Sequence, residues 1–564
     1  MARFLVTSAL PYVNGVKHLG VFVGSILPAD VYARYLRLRG HDIVFVCGTD
    51  EHGAPSEIAA MEEGLPIKEY CGKYFEIQRS IYERFNCSFD HFGRTSGEEN
   101  HKTTQEMFLR MYERGFISEK TLKMPYCKKC NRFLSDRFIE GVCPHCAYEG
   151  ARGDQCENCG RLLDPAELVA PFCNICKGKD IEFRNTKHLF LEFKKLEGKL
   201  KKWITESEHW PQNAKNFALG WLKEGLRGRC ISRDLSWGVK IPLRGYEDKV
   251  FYVWFDAPIG YISFTKEWAK GQGREGAWMD YWRSNGCKII HFLGKDNIAF
   301  HTVFWPAMLI ASEYTTLPYQ IKSLEFLNFE GRKLSTSRKW GIFTDEALEW
   351  FPVDYWRYYL LSILPETSDA DFLWGEFQSK VNEDLANTLG NLVHRCLTFI
   401  RNNFNGVLPE SSGKEWKEID TEFRSKLLEH TKKTAELFDS YRMQDALKEA
   451  ISLARDANKY FNDKAPWKAM KENKRDAETT VYLTANAIYS LSILLEPFIP
   501  STSEKVLSLL GFSRDVHKEK WENAGKLNVE GGQRISEKIE PLFKKIEDEE
   551  INKYKALIEE RSRK

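Results

Sequence analysis

Eight of the chain's fourteen cysteines stand in four Cys-x-x-Cys pairs, Cys127/Cys130, Cys143/Cys146, Cys156/Cys159 and Cys173/Cys176, all within one short stretch. A stretch of that length cannot bury a core of its own, and thiolates at this spacing are ligands of tetrahedral metal sites. The fold must therefore contain a metal-organised insertion between larger portions. Two structural zinc ions account for the eight thiols, and four-cysteine sites leave no position open for water, so no chemistry is assigned to them. Spacing alone pairs neighbouring Cys-x-x-Cys units. His145, between two ligands, reads as a bystander. Cys47, Cys71, Cys87, Cys230, Cys287 and Cys396 lie singly among apolar or mixed neighbours and read as buried thiols. The pattern belongs to zinc in a reducing compartment, not to a disulfide framework.

On either side of the insertion the pattern is α/β. Arg3 to Ser8 is a short apolar strand, followed by the turn residues Pro11-Tyr12-Val13-Asn14-Gly15. A helix begins near His18-Leu19-Gly20, carries Leu27, Val31, Tyr35 and Leu38 at helical spacing, and ends at Gly40. Pro28 within it implies a kink or a later start. Ile43 to Cys47 reads as a buried strand, which completes a βαβ unit and hence a parallel sheet. Val250 to Phe255 and Lys288 to Leu293 read as further strands of the same sheet. From about Lys380 the pattern turns to long helices. One carries Leu385, Leu389, Leu392, Cys396 and Phe399 on a single stripe. Others run through Ala446–Phe461, Leu483–Leu495 and, in the charged last segment, Phe543–Arg561.

The 564 residues suffice for three or four domains. No apolar run approaches the ~18 residues of a membrane span, and the N-terminus lacks a signal-peptide plan, so a soluble, cytoplasmic protein is expected. A net charge of +2 leaves a nucleic-acid partner open, since a local basic face suffices. Lys194–Lys202 and Lys223–Arg229 are candidate stretches, or ordinary solvated helix faces.

Open parallel sheets bind ligands beyond the carboxyl ends of their strands. Asn14-Gly15-x-x-His18-Leu19-Gly20 falls there, where glycines admit a close backbone approach and histidine can donate to phosphate. Alone it reads as a bland loop and cap. A second segment, Gly331-Arg332-Lys333-Leu334-Ser335-Thr336-Ser337-Arg338, mixes small hydroxyls with cations and can close over a triphosphate. Alone it reads as a solvated basic turn. At the two ends of a split α/β domain, the pair is far more specific than either member.

These motifs bring a family into view. The chain resembles class I aminoacyl-tRNA synthetases, and methionyl-tRNA synthetases in particular, over almost its whole length. Beyond the two motifs, the resemblance rests on Ser8-Ala9-Leu10-Pro11-Tyr12-x-Asn14-Gly15 and Gly48-Thr49-Asp50-Glu51-His52-Gly53. It rests also on Tyr252-Val253-Trp254-Phe255-Asp256-Ala257-Pro258-Ile259-Gly260-Tyr261, Gly294-Lys295-Asp296-Asn297 and Phe300-His301-x-x-Phe304-Trp305-Pro306-Ala307. It implies a Rossmann-type parallel-sheet catalytic domain split by a zinc-binding insertion, followed by an α-helical bundle that binds the anticodon. The implied reaction activates L-methionine with ATP and Mg²⁺, then loads tRNA(Met).

By resemblance, His18 and Lys333 are catalytic, and ATP is held by Asn14, Gly15, His18, Gly20, Gly294, Lys295, Asp296, Lys333, Ser335, Thr336 and Ser337. Methionine is held by Ala9, Leu10, Tyr12, Asp50, Trp254, Ala257, Pro258, Tyr261, His301 and Trp305. Asp50 would pair with the ammonium, and Tyr12 or His301 would hydrogen-bond the thioether. Without the family, the aromatic residues read as core. The anticodon falls to Asn387, Asn391, Arg395, Pro466 and Trp467; from spacing alone the first three are an exposed helix face. The zinc ligands nest, with the inner four cysteines on one ion and the outer four on the other. The implied boundaries are a catalytic domain at 1–116 and 228–322, the zinc insertion at 117–227, a junction at 323–380, the anticodon domain at 381–520 and a helical tail at 521–564. A monomer is expected, with a separate tRNA-binding partner protein left open.

Two departures matter. The first motif of the family ends in a second polar residue where this chain has Val21, and the second motif has Thr336 where a lysine is usual, with Lys333 and Arg338 able to compensate. Losing one donor to a transition-state phosphate costs about 2–4 kcal/mol. Slow adenylation or a substitute donor is therefore expected, and Val21→His should raise the rate of methionine-dependent ATP–pyrophosphate exchange. Two rivals stand beside this reading. A synthetase for isoleucine, valine or leucine carries a large editing insertion, for which Phe183 to Val250 leaves no room. A zinc-dependent tRNA-binding protein without catalysis would account for Val21.

Overall fold

The computed structural model describes residues 2–153, 156, 158–159, 161, 163–226, 228–336, 338–411 and 416–563. Seven strands suffice to place the site: β1 Arg3–Ser8, β2 Asp42–Thr49, β3 His91–Arg94, β4 Ile117–Cys127, β5 Ile181–Leu191, β6 Cys287–Gly294 and β7 Pro318–Leu324. Five form a parallel sheet in the order β7-β6-β1-β2-β3. Leu5, Val6, Val44, Val46, Ile289 and Ile290 are buried, as strands covered on both faces require. Strand order reverses between β1 and β6, which opens a crevice at their carboxyl ends. The glycine-histidine loop after β1, the segment from Gly331 to Arg338 and the aromatic residues arrive at this crevice.

The chain leaves β1 through a helical turn at Leu19–Val21, a wide turn at Phe22–Ile26 and the α-helix Leu27–Leu38. Leu27 donates to the carbonyl five residues back, at Phe22. This π-turn takes up the expected disturbance at Pro28, which stands in the first turn of the α-helix proper. Gly40 follows that helix with φ +72°, as expected of its terminator.

β4 and β5 pair antiparallel along their whole length, from Ile117↔Leu191 to Cys127↔Ile181. This ribbon carries the cysteine-rich tip away from the parallel sheet. The expected strand Val250–Phe255 is corrected: only Val250–Phe251 is extended, pairing with Ser232–Arg233, and Val253–Asp256 is a helical turn. A short apolar run fits a buried strand and a buried helical turn equally well, and packing of Phe251 and Phe255 on Phe108 decides here.

In the C-terminal half, Trp374–Lys380, a wide-turned stretch Val381–Gly390 and Asn391–Phe404 follow one another as a continuous helical run. Glu418–Asp439, Met443–Lys464 and Lys474–Leu494 pack beside it. The last helix spans Asp548–Arg563, later than the expected start at Phe543. Phe543 is instead buried in an extended segment, where the Tyr355 hydroxyl bridges the Lys544 amide and carbonyl. One hydrophobic core runs from Phe4, Val6 and Phe292 at the sheet into Leu389, Leu447 and Leu483 of the bundle. At this junction Asp30 is fully buried between Arg34 (3.1 Å) and Arg357 (2.8 Å), and Arg34 also reaches Glu496 at 2.5 Å. Among the described residues no helix is long and apolar enough to cross a membrane.

Candidate active site and metal centres

The two phosphate motifs are zipped together. Leu19 donates from its backbone to Ile342 (2.9 Å), and Thr344 donates to the Lys17 carbonyl through both its amide and its hydroxyl (2.9 Å each). Leu334 of the second motif fills the space left by two glycines. A Cβ at Gly20 would stand 2.6 Å from Leu334 Cδ1, and one at Gly341 would stand 2.1 Å from Cδ2. Gly341 has φ +124°, so its bare backbone serves twice. The loop is pinned further by reciprocal backbone bonds between Ser335 and Trp340 (3.0 Å) and by Arg332 stacked 3.3 Å above the Trp340 ring. Lys333 and Thr336 are exposed, and Ser337 lies outside the described residues. Arg561 of the last helix donates to the Lys339 and Gly341 carbonyls and pairs with Glu346, holding this loop from outside.

Asn14, Gly15, His18 and Gly20 line the loop after β1 and are half-buried. Burial and the neighbouring Lys17 charge hold the His18 imidazole down at about 4, so it is neutral at physiological pH. Its Nδ1 is buried without a partner among the described residues. Gly294, Lys295 and Asp296 follow directly on β6. Lys295 is already committed to Asp369 (2.5 Å) and Glu325 (2.8 Å), whereas Asp296 is exposed.

The ten residues expected to hold methionine fall at the same crevice. Ala9 donates to the Phe292 carbonyl (2.8 Å), Leu10 packs on Gly260, and Tyr12 bridges to Asp50 across the end of the sheet. Tyr261 lies among His291, His301 and Trp305, at ring separations of 4.9, 5.8 and 6.3 Å. Half-buried Trp254 reaches this group through an edge contact with Phe300 (5.4 Å), which abuts His301. Ala257 and Pro258 are buried at the turn between them.

His301 Nδ1 lies 3.1 Å from the Asn297 carbonyl, which can only accept; Nδ1 therefore carries the proton, and Nε2 accepts from the Tyr261 hydroxyl (2.9 Å). Burial holds this imidazole at about 4, so it stays neutral. Both ring nitrogens are thus spent. Within the chain, His301 thus fixes the Tyr261 hydroxyl.

Asp50 is the unusual member of the site. It is 4 % exposed, and its Oδ1 has no partner among the described residues. Burial, with Asp256 nearby, pushes its carboxyl well above the usual range. A buried carboxyl in this state favours its neutral form and ionises only against an incoming cation. Thr7 and His291, whose Oγ1 and Nδ1 lie 2.5 Å apart, and the buried Lys17 also belong to the site. Sequence reasoning passed over all three. The one available signal was a histidine inside a strand.

Away from the crevice, the cysteines form two groups, Cys127/Cys130/Cys173/Cys176 and Cys143/Cys146/Cys156/Cys159, and either can hold a metal ion. The nested pairing is the one observed, not the neighbour pairing that spacing alone gave. Sγ–Sγ distances of 3.6 and 3.8 Å in the outer group and 3.9 and 3.6 Å in the inner match the ~3.8 Å edge of a tetrahedron with metal–sulfur bonds of ~2.3 Å. Backbone amides of Cys130 and His145 donate to Cys127 and Cys143 sulfurs (3.4 Å each). The His145 ring faces Arg161 (3.2 Å) and is in neither group. Among the other six cysteines, Cys47, Cys71, Cys287 and Cys396 are buried; Cys87 and Cys230 are only partly so.

On the bundle, Asn387, Asn391 and Trp467 are exposed, while Arg395 is half-buried and Pro466 buried. The Arg395 guanidinium lies 5.6 Å from the Trp467 ring and donates to Asn462 (2.8 Å). Arg395 and the indole therefore form one surface.

Residues 4–397 match the family model of class I tRNA synthetases (M), and residues 409–561 match that of the anticodon binding domain of methionyl tRNA ligase. The methionine–tRNA ligase of Pyrococcus furiosus is 44% identical over 98% of this chain and 76% of its own length. That of Streptomyces avermitilis is 43% identical over 98% of this chain and 99% of its own. The crystal structure of Mycobacterium tuberculosis methionyl-tRNA synthetase bound by methionyl-adenylate superposes with a TM-score of 0.80 at 25% identity, covering 96% of this chain and all of that one. With both halves of the chain matched in order, and the split sheet, paired motifs and helical bundle in place, the chain belongs to the methionyl-tRNA synthetase family of class I.

Proposed function

We propose that this chain activates L-methionine with ATP, giving methionyl-adenylate and pyrophosphate, and then transfers methionine to the 3′-terminal adenosine of tRNA(Met). The observation that carries the reading is a buried Asp50, one oxygen of which has no partner among the described residues, beside an aromatic pocket at the crevice where two phosphate motifs are joined. The methionine carboxylate is ionised at neutral pH and attacks the α-phosphorus without a general base. Catalysis then rests on placement and on stabilising phosphate charge. Neutral His18 donates to phosphate, Lys333 and the second-motif hydroxyls close over it, and Mg²⁺ arrives as the ATP complex. Asp50 pairs with the substrate ammonium, and the Tyr261–His301 pair shapes the thioether end. In this reading the catalytic domain is 1–116 with 228–322, acting in a cytoplasmic setting.

Zinc is the metal that suits both four-thiolate groups, where it organises the insertion without taking part in the reaction. Asn387, Asn391, Arg395, Pro466 and Trp467 read the anticodon: amides and a guanidinium suit base edges, and an exposed indole suits stacking. Arg395→Ala should reduce tRNA charging at least tenfold and leave ATP–pyrophosphate exchange within twofold; equal loss of both would overturn the assignment. The reaction itself is tested by exchange with single amino acids. Methionine should support it, and isoleucine, valine and leucine should not. Exchange with none of them would leave a tRNA-binding protein without catalysis.

A further inference from the structure

Lys17 is a buried lysine that nothing in the fold needs. Its side chain is 7 % exposed, and no carboxylate of the described residues lies within ion-pair distance of it. Among the described residues its ammonium has one hydrogen bond, to the Asn14 side-chain oxygen. The contacts that tie the two motifs together use the Lys17 carbonyl, accepting from Thr344, and any residue supplies a carbonyl. Burying an ammonium without a counter-ion is destabilising, so the side chain is a poor structural choice. Burial accordingly holds it at about 7, where it is only partly charged at neutral pH. Its charge is also felt by His18, whose Nδ1 is buried without a partner among the described residues.

We infer that Lys17 is a phosphate-binding cation of this site, which completes its ion pair only when the triphosphate of ATP enters beside Asn14 and His18. This rests on the proposed ATP-dependent activation and deepens it: the apolar Val21 leaves the motif one polar group short, and the preceding turn of chain supplies a substitute. A triphosphate brings the anionic charge that the folded chain withholds from Lys17. The step remains a displacement at the α-phosphorus, with Lys17 stabilising charge on the departing pyrophosphate and transferring no proton.

The test compares Lys17→Met and Lys17→Arg with the wild-type chain. In methionine-dependent ATP–pyrophosphate exchange, Lys17→Met should lower kcat/KM for ATP about 10²-fold, with KM for methionine unchanged and Lys17→Arg recovering most of the loss. Its thermal midpoint should equal or exceed that of the wild type, because an uncompensated buried charge has gone. Wild-type kcat/KM for ATP in Lys17→Met would overturn the inference. So would a loss accompanied by a lowered midpoint and a matching rise in KM for methionine, which marks a residue that only holds Asn14. Calorimetric titration with tripolyphosphate separates this from the functional reading. If the wild type shows no exchange, that reading fails, but Lys17→Met should still bind tripolyphosphate about tenfold more weakly, and equal affinity would overturn the assignment.

Discussion

Asp50→Asn is expected to lower kcat/KM for methionine in ATP–pyrophosphate exchange about 100-fold, with KM for ATP nearly unchanged. Asp50 lies 4 % exposed with one oxygen unpartnered, so little water competes with an arriving ammonium for it. Truncating one member of a desolvated charge pair costs about 2–5 kcal/mol, and 1.4 kcal/mol is tenfold. Asparagine keeps the shape and removes the charge, so the loss reports the ion pair, not the packing. The pH profile follows from the same geometry. Burial and Asp256 raise the Asp50 carboxyl, and burial likewise raises that of Asp256, so both hold protons above the ordinary carboxylate range. Only the ionised form attracts the ammonium. Hence kcat/KM for methionine should climb with pH through an apparent pKa belonging to this pair, and Asp50→Asn should flatten that limb. An unchanged limb would assign it elsewhere.

Asp30→Ala is expected to destabilise the chain by about 3–5 kcal/mol, since two buried guanidinium groups lose their shared carboxylate. Arg357 is fully buried and also donates to the Phe85, Pro497 and Phe498 carbonyls at 2.8–3.0 Å, so it cannot swing out to water. The urea midpoint should fall without a change of slope. Burial alone would raise Asp30, but Arg34 and Arg357 win and hold it down at about 2. Its contribution is therefore present above the unfolded value near 4 and lost as pH falls toward 2.

Much of this was legible in the sequence. β1 begins and ends at the residues where its apolar run does, and Gly40 ends the first helix, because period and cap chemistry are local. Val250–Phe255 misled because six apolar residues are too few to show a period. Phe543 misled because its surroundings arrive from Tyr355 and Gly390, distant in the chain. The pocket was reachable only by resemblance: nothing local separates Tyr261 or Trp305 from an ordinary core aromatic. Gly341 and Lys17 were unreadable for the same reason. A glycine emptied for Leu334, and a lysine lacking its counter-ion, show only once the strands are assembled.

The nesting of the two cysteine groups has a consequence for the order in which this region is made. The inner group joins Cys146 to Cys156, ten residues apart, whereas the outer joins Cys130 to Cys173 across 43. As the chain emerges from the ribosome, the inner four thiols are complete before Cys173 exists. Closing them first replaces a long, floppy loop by a short tethered knot, which lowers the entropy lost when the outer four meet. Metal uptake would then run from the tip inward, zipping the ribbon toward the sheet. Strands β6 and β7 would be delivered to β1 by a hinge that has already set.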